Sequence, residues 1–157
     1  MMIRRAKPDD LEAILKVFEE TIRSTCQHDY TLEQINVWVS SIDDQEKWKN
    51  RIANQFFLVA ELENKIAGFT SLEGDYIDLL YVSNKFLRKG IANRLFEKLK
   101  GEALKNGKTK LASDVSITAY PFFEKMGFKM IRKNHFDLKE VNISNYRMEL
   151  DLNDTPT

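Results

Sequence analysis

The chain has little of what cross-links a protein or anchors it to a membrane. Cys26 is the only cysteine, which excludes an internal disulfide and a cysteine-rich metal site and fits a reducing compartment. Residues 1–10 carry charges at positions 4, 5, 7, 9 and 10, so they lack the apolar segment of a secretory signal. No apolar run approaches membrane-spanning length. We therefore expect a soluble, cytoplasmic protein with no membrane partner.

An excess of charge of one sign is also missing. The chain has 24 basic and 24 acidic side chains, so no overall field would hold it to nucleic acid. Its 157 residues, 43% of them hydrophobic, are enough for one domain with one sizeable core. No internal repeat or low-complexity linker divides the sequence. We expect a single domain over residues 1–152 and a flexible tail over residues 153–157.

Hydrophobic periodicity predicts both helices and strands. Apolar residues at helical spacing follow Asp9 and Asp10, either of which can be the N-cap, and a second helix starts at Thr31. Period-two patterns then predict an antiparallel meander of three strands. In chain order, the pattern predicts an edge strand at 2–6, helices from 11 and 31, a short helix or irregular segment at 43–54, strands at 56–62, 65–73 and 76–82, a helix at 90–105, a strand at 109–115, a short helix at 118–126, and strands from 127 to about 133 and at 146–152, with a polar loop at 139–145 between the last two.

The most informative segment is residues 85–92, which run directly into the amphipathic helix. Gly90 lets the backbone come close to a ligand, and Arg88 and Lys89 bring positive charge. A helix that begins here points its unpaired N–H groups outward, so the segment predicts an anion cradle, most often for phosphate. Neither a GxxxxGK[ST] run nor a GxGxxG run is present, which indicates a phosphate-bearing ligand of another kind.

Two motifs are similar to those of one family. Residues 87–92, Leu-Arg-Lys-Gly-Ile-Ala, resemble the acyl-CoA loop [QR]-x-x-G-x-[GA], with Gly90 and Ala92 in register. Residues 119–128, Ala-Tyr-Pro-Phe-Phe-Glu-Lys-Met-Gly-Phe, resemble the family run A-x-x-F-[FY]-E-K-x-G-F. With this order of elements, nearly the whole chain resembles the GNAT superfamily (GCN5-related N-acetyltransferases), of the small bacterial single-domain type. The resemblance implies an α/β (α+β) fold with a mixed, mostly antiparallel central sheet of six to seven strands, flanked by about four helices.

The resemblance also implies acetyl-CoA as cosubstrate and no metal. The pyrophosphate of coenzyme A would sit on the amides of residues 88–93, where the helix end carries about half a positive charge. The pantetheine arm would pair with the strand at residues 78–82, and an amide of that strand would be the oxyanion donor. The expected coenzyme A contacts are Leu80, Tyr81, Val82, Leu87, Arg88, Lys89, Gly90, Ile91, Ala92, Asn93, Ser116, Ala119, Phe122 and Phe123.

Three of these positions depart from the family pattern. Leu87 stands where the family usually has Gln or Arg, which leaves the backbone cradle intact. Ser116 stands where many members have an Asn that touches the pantetheine arm, and its hydroxyl can make a similar contact. Phe123 stands where a Tyr often protonates the departing thiolate. A coenzyme A thiol is far more acidic than an alcohol, so the missing Tyr does not exclude catalysis.

Three residues are candidates for the proton transfers. Asp78 aligns with an acidic residue that many family members carry near the acceptor amine. It is either a base, direct or through water, or a carboxylate paired with a neighbouring strand. Glu73 is a weaker base candidate at a strand end. Tyr120 lies three residues before Phe123, so its phenol is either a substitute acid or a half-buried packing group.

The polar connection at residues 24–30 is a candidate substrate loop. His28, Tyr30 and Trp38, together with Glu73, are expected to shape the acceptor pocket, and core packing is the alternative for Trp38. A Cys26–His28 nucleophile pair is disfavoured because side chains two residues apart seldom make the needed contact. His135 has no second histidine or cysteine nearby, so no metal site is expected.

These expectations give one function and its rivals. The first is an N-acetyltransferase that transfers the acetyl group of acetyl-CoA to a primary amine of a small molecule or peptide, by direct attack in a ternary complex. The alternative, motivated by Leu87 and Phe123, is a non-catalytic acyl-CoA-binding or regulatory module, which would bind coenzyme A without turnover. A role on nucleic acid, such as acetylating a charged tRNA, is disfavoured by the neutral charge. A homodimer is left open.

Overall fold

The computed structural model describes residues 1–154, with a seven-stranded sheet and five α-helices in that part of the chain. The strands are β1 (Met2–Arg5), β2 (Phe56–Leu62), β3 (Lys65–Glu73), β4 (Tyr76–Val82), β5 (Lys110–Val115), β6 (Lys129–Leu138) and β7 (Val141–Asp151). The helices are α1 (Leu11–Thr25), α2 (Leu32–Val39), α3 (Gln45–Asn54), α4 (Ile91–Lys105) and α5 (Tyr120–Lys125). The strand order is β1-β2-β3-β4-β5-β7-β6, and only β4 and β5 pair in parallel. The predicted fold class is confirmed.

The sheet is covered on both faces because its inner strands bury alternate residues on opposite sides. In β2, Phe57 belongs to a core that includes residues of α1, α2 and α3, while Leu58 belongs to a second core with residues of α4 and α5. Both side chains are 5% exposed or less. A strand buried on both faces reads as a continuous apolar run, which is what residues 56–60 show. The two layers of helices hold the sheet between them.

The N-terminal helices begin where their caps predict. Thr31 caps α2, since its hydroxyl accepts a hydrogen bond from the Gln34 amide at 3.1 Å and Gln34 bonds back to the Thr31 amide at 2.8 Å. Asp10 stands at the N-cap of α1, but its side chain makes no cap hydrogen bond there. Its carboxylate instead accepts from the Lys7 amide at 2.7 Å and forms an ion pair with Arg4.

The last two strands are longer than the sequence predicts. The predicted polar loop at residues 139–145 is wrong, because β6 and β7 form a hairpin closed by Lys139 and Glu140, whose φ angles are 48° and 66°. Strand β6 is an edge strand exposed along almost its whole length, so its sequence lacks the alternation that marks a half-buried strand. His135 consequently lies inside the hairpin, opposite Ser144.

The structure describes only part of the predicted C-terminal tail. Residues 152–154 form a short 3-10 turn after β7, and residues 155–157 lie outside the described part. The division into one domain and a flexible tail therefore stays a prediction. Among residues 1–154 no helix is both long enough and apolar enough to cross a membrane.

Candidate active site

The central feature is a gap between β4 and β5. The two strands pair only at Tyr76 with Ala112 and at Ile77 with Ser113, and beyond these pairs they separate. The Ser113 hydroxyl donates to the Ile77 carbonyl at 2.8 Å and fastens the last joined pair. From Asp78 onward the β5-facing edge of β4 pairs with no strand among residues 1–154. A cavity of about 890 Å³ lies at this gap, within the size range of ligand pockets.

A β-bulge places Asp78 at the start of the gap. Ser71 pairs with Leu79 and Leu72 pairs with Ile77, so Asp78 is the extra residue on β4. Ile77 and Leu79 consequently belong to different cores although they are two residues apart. The bulge reorients the strand, and the Asp78 side chain lines the cavity.

The first turn of α4 lies beside the same cavity. Gly90 is the N-cap in a left-handed conformation, with a φ of 73°, and provides no side chain to cap the helix. Arg88 also has a positive φ, 63°. The backbone N–H groups of residues 88–93 have no hydrogen-bond acceptor within residues 1–154. Leu87 and Ala92 line the cavity.

The other residues of this loop do not line the cavity with their side chains. Arg88, Lys89 and Asn93 occupy exposed positions beside it. Ile91 is 2% exposed and packs in the core under α4, so only its backbone can face a ligand. A Cβ on Gly90 would have no atom within 4 Å, which means that its positive φ, and not crowding, is what requires glycine.

Residues predicted on β4, after β5 and on α5 do meet at the cavity. The lining includes Leu80, Tyr81, Val82, Ser116, Ala119, Phe122 and Phe123. The Ser116 hydroxyl accepts from the Ala119 amide at 3.0 Å, so its own hydrogen is free to donate to a ligand. Burial raises the pKa of Tyr81 far above its usual range, and its ring packs edge-on against Phe18 at 5.1 Å.

Asp78 is paired on one carboxylate oxygen only. Arg51 Nε lies 3.0 Å from Asp78 Oδ2, and the Gln55 side-chain amide donates to the same oxygen at 2.9 Å. Asp78 Oδ1 accepts no hydrogen bond within the described residues. Gln55 also donates to Glu73 at 3.0 Å, but Glu73 is exposed and is not among the residues that line the cavity.

A second carboxylate, that of Asp114, faces the cavity within a group of polar side chains that the sequence does not single out. Asp114 accepts from the Tyr76 hydroxyl at 2.8 Å, from Asn134 at 2.8 Å, and from Arg147 Nε and Nη2 at 3.0 and 3.2 Å. Both of its oxygens are therefore occupied. Burial and the hydrogen bond to Asp114 raise the pKa of Tyr76 well above its usual range. A charged residue within the apolar strand pattern at 109–115 was the one available signal.

We call this region the polar side of the cavity. It is defined by Lys47, Arg51, Tyr76, Asp78, Asp114, Arg132, Asn134 and Arg147. Arg51 and Lys47 lie on α3, which the sequence pattern left undecided between helix and irregular segment. Arg132 lies on β6 just before the predicted end of that strand, and Asn134 lies just after it. Within residues 1–154 no group of three or more metal-ligating side chains comes together.

Tyr30 of the predicted substrate loop and Trp38 of α2 form part of the cavity wall. The Tyr30 hydroxyl donates to the Ser144 carbonyl and accepts from the Ile117 amide, both at 2.9 Å, and burial raises the pKa of Tyr30 to about 12. Trp38 packs edge-on against Tyr30 at 5.3 Å, and both line the cavity. His28 is exposed and does not line it.

Cys26 borders the cavity as a buried thiol. It is 4% exposed, and burial raises the pKa of its thiol. Its sulfur lies 3.8 Å from the Thr25 hydroxyl, and among the described residues no hydrogen bond joins it to His28. A neutral, buried thiol is a poor nucleophile, so the geometry offers no Cys–His pair for covalent catalysis.

Comparison with known proteins identifies the family. A family model described as an acetyltransferase (GNAT) domain matches residues 26–151. The chain belongs to the GNAT family. It is an acyltransferase of that family, as the two sequence motifs predict.

Relatives of this GNAT protein cover almost its whole length. The uncharacterized N-acetyltransferase YafP of Escherichia coli (strain K12) is 30% identical over 148 residues, 94% of each chain. A crystal structure from Rhodopseudomonas palustris, described as a GCN5-related N-acetyltransferase (aminotransferase, class-II), is 30% identical with a TM-score of 0.92, covering 96% of this chain and 94% of that one. The PaiA N-acetyltransferase of Thermoplasma acidophilum, crystallised with coenzyme A, is 23% identical with a TM-score of 0.78, covering 96% and 98%. At that identity the likeness concerns the fold alone.

One predicted GNAT catalytic residue lies away from the cavity. Tyr120 is the first residue of α5 and packs edge-on against Tyr146 at 5.1 Å, whereas Phe122 and Phe123 of the same helix line the cavity. Tyr120 is not among the lining residues. Its role as the substitute acid stays a prediction, and this position favours the packing alternative.

Proposed function

We propose that this GNAT protein transfers the acetyl group of acetyl-CoA to a primary amine of a small molecule or peptide by direct attack in a ternary complex. One observation carries the proposal. The gap along β4 is bordered at one end by the amides of residues 88–93, which lack acceptors, and at the other by Asp78 with a free carboxylate oxygen. A donor and an acceptor can therefore meet in one cavity.

The residues at the α4 end suit the phosphates of coenzyme A. Backbone N–H groups without acceptors at a helix N-terminus attract anions, and Arg88 and Lys89 add positive charge beside them. The open edge of β4 suits the amides of the pantetheine arm, and the Ser116 hydroxyl has a hydrogen to donate. Bound in this way, acetyl-CoA supplies a thioester whose carbonyl carbon is open to attack by nitrogen.

Asp78 is the base that this arrangement favours. An acceptor amine arrives as an ammonium ion and has to lose a proton before its lone pair can form the new C–N bond. Asp78 Oδ1 is free to take that proton, directly or through water, whereas both oxygens of Asp114 are occupied. As the C–S bond breaks, the departing thiolate takes up the second amine proton. Ammonium and acetyl-CoA thus give amide, coenzyme A thiol and one released proton.

The test is turnover with a broad set of amines and peptides, measured as free thiol released from acetyl-CoA. Amine-dependent thiol release is the expected result. Tight binding of coenzyme A without release from any acceptor would instead support a non-catalytic binding module and refute the proposal. Release with every acceptor absent would indicate thioester hydrolysis.

The base assignment has its own test in two matched variants. Asp78→Asn and Glu73→Gln each remove one carboxylate that accepts from Gln55, but only Asp78 lines the cavity. We expect Asp78→Asn to lower kcat by about 100-fold or more, the range for loss of a general base, and to flatten the acidic limb of its pH profile. An unchanged pH profile in Asp78→Asn, or the larger loss in Glu73→Gln, would show that Asp78 is not the base.

A further inference from the structure

The polar side of the cavity contains an arginine whose donors are mostly unused. Arg51 makes an ion pair with Asp78 through Nε, while its Nη1 and Nη2 groups have no hydrogen-bond acceptor within residues 1–154. The side chain is only 16% exposed, and it lines the cavity. These Nη groups reach the open cavity and are not enclosed by protein, so they are suited to bind an anion that enters it.

The position of this guanidinium is fixed before any ligand binds. It lies over the indole ring of Trp48, with its central carbon 4.8 Å from the ring centroid. Trp48 is fully buried, and its indole nitrogen donates to the Ser41 carbonyl at 3.1 Å. The ion pair with Asp78 holds the guanidinium from the other side. A cation held between these two partners loses little side-chain entropy on binding, which favours affinity.

The remaining charges point in the same direction. The polar side carries four cations, Lys47, Arg51, Arg132 and Arg147, against the two carboxylates Asp78 and Asp114. Arg147 uses Nε and Nη2 on Asp114, and its Nη1 has no acceptor in the described part of the chain. An acceptor with a second positive charge would therefore meet an excess of like charge.

We propose that the acceptor amine of this enzyme carries a carboxylate, so that the acceptor is of the amino-acid type. The ammonium of the acceptor binds Asp78 Oδ1, and its carboxylate binds the Nη groups of Arg51. The two charged groups of the acceptor thus contact the two members of the Arg51–Asp78 ion pair. A carboxylate fits better than a phosphate, because a planar guanidinium edge matches a planar monoanion and a dianion would place further negative charge beside Asp78. This inference rests on the proposed acetyl transfer.

The experiment compares acceptors that differ only in the anionic group. The standard L-amino acids, β-alanine and 4-aminobutyrate are each tested with acetyl-CoA beside their carboxamides and, for glycine, β-alanine and 4-aminobutyrate, the aminophosphonic acids of equal chain length. Unsubstituted alkylamines and polyamines complete the set. We expect the best acceptor to be a carboxylic acid, with a kcat/KM at least tenfold above that of its carboxamide.

The other outcomes separate this inference from the proposed function. Equal or faster turnover of carboxamides, alkylamines, polyamines or aminophosphonic acids would overturn the carboxylate assignment while acetyl transfer stands. Coenzyme A binding with no turnover of any of these acceptors, or of peptides, would overturn both.

Three variants test the role of Arg51. In Arg51→Gln we expect the acid-to-carboxamide ratio of kcat/KM to fall to about one. Arg51→Lys, which keeps the charge but not the paired Nη donors, should lose most of the ratio even if Arg51→Gln does not fold. Lys49→Gln removes a cation from the same helix at a 56% exposed position away from the cavity, and it should keep the full ratio. Coenzyme A affinity, measured by calorimetry, should be unchanged in all three. A ratio that stays above tenfold in Arg51→Lys and Arg51→Gln would refute the assignment.

Discussion

Gly68 lies in β3 where α4 begins close to the sheet, and a methyl group at this position tests how the anion cradle is placed. A Cβ there would stand 2.9 Å from the Tyr81 carbonyl oxygen and 3.3 Å from side-chain atoms of Val82 and Ile91. Ile91 is the first residue of α4. Gly68→Ala must therefore push β4, the start of α4, or both, away from β3.

The expected cost follows from these contacts. Overpacking a tight interior costs about 1–3 kcal/mol, from which the reduced entropy of the unfolded chain recovers about 0.4–1 kcal/mol. We expect Gly68→Ala to lower the free energy of unfolding by about 1–2 kcal/mol. Displacement of the first amides of α4 should also raise the Kd for coenzyme A about three- to tenfold. A tenfold rise in Kd corresponds to a loss of only about 1.4 kcal/mol of binding free energy.

Gly101→Ala is the matched control. Gly101 lies within α4, is exposed, and has no atom within 4 Å of the position of an added Cβ. Alanine is the better helix former by about 0.8–1 kcal/mol, so this variant should be more stable than the parent protein and bind coenzyme A equally well. Urea unfolding gives the two stabilities, and calorimetry gives the two affinities.

Two results would refute the reasoning. If Gly68→Ala is as stable as Gly101→Ala, then the close contact with Tyr81 is relieved without cost. If Gly68→Ala is destabilised but binds coenzyme A with the parent Kd, the start of α4 does not set the geometry of the cradle.

Three further predictions concern other parts of the chain. Gly90→Ala should weaken coenzyme A binding only slightly, because the backbone strain of alanine at this positive φ is about 1–2 kcal/mol and nothing crowds the new methyl group. Gly90→Asp should weaken binding more than tenfold, because it brings a carboxylate to the amides that attract the anion. Equal Kd values for the two variants in calorimetry would contradict the role of charge. The hydrogen bond from Arg4 lowers the pKa of Asp10, so the pair stabilises the fold above the ordinary aspartate pKa of about 4 and this contribution is lost as pH falls through the lower folded value. Asp10→Asn should therefore be less stable than the parent at pH 7, with a difference that shrinks in urea titrations below about pH 4 and would be constant with pH if the pair contributed nothing. Tyr30→Phe removes a donor and an acceptor that join three segments, and it should lower the free energy of unfolding by about 1–3 kcal/mol; a loss below about 0.5 kcal/mol would show that water replaces both bonds.

The parts of the site that depend on local sequence were predictable. The loop before α4 combines Gly90 with an amphipathic helix, and the meander before it has period-two patterns and turn residues, so both follow from neighbouring residues. The bounds of β2, β3 and β4 agree with the sequence pattern to the residue. The positions of α4 and β4 therefore follow from the local sequence, whereas only the resemblance to the family implied the open edge of β4.

The polar side could not be predicted in this way. Asp114 and Arg147 are 33 residues apart, and their contact depends on the antiparallel register of β5 with β7. The pairing of Arg51 with Asp78 depends on how α3 packs over the sheet and on the bulge in β4. Neither the packing of α3 nor a one-residue bulge leaves a pattern of its own in the apolar spacing. Exposed Arg132 lies on an edge strand that likewise lacks alternation.

The gap between β4 and β5 has a mechanical consequence. Because only two residue pairs join these strands, the sheet consists of a four-stranded and a three-stranded part. A short hinge, α4, and the contacts of α2 and Tyr30 with β7 hold the two parts together. A ligand whose amides bond to both free strand edges acts as an eighth strand that completes the sheet. Donor binding and the cohesion of the two parts are then one equilibrium, and amide hydrogen exchange in β4 and β5 should slow on both sides of the gap when coenzyme A is added.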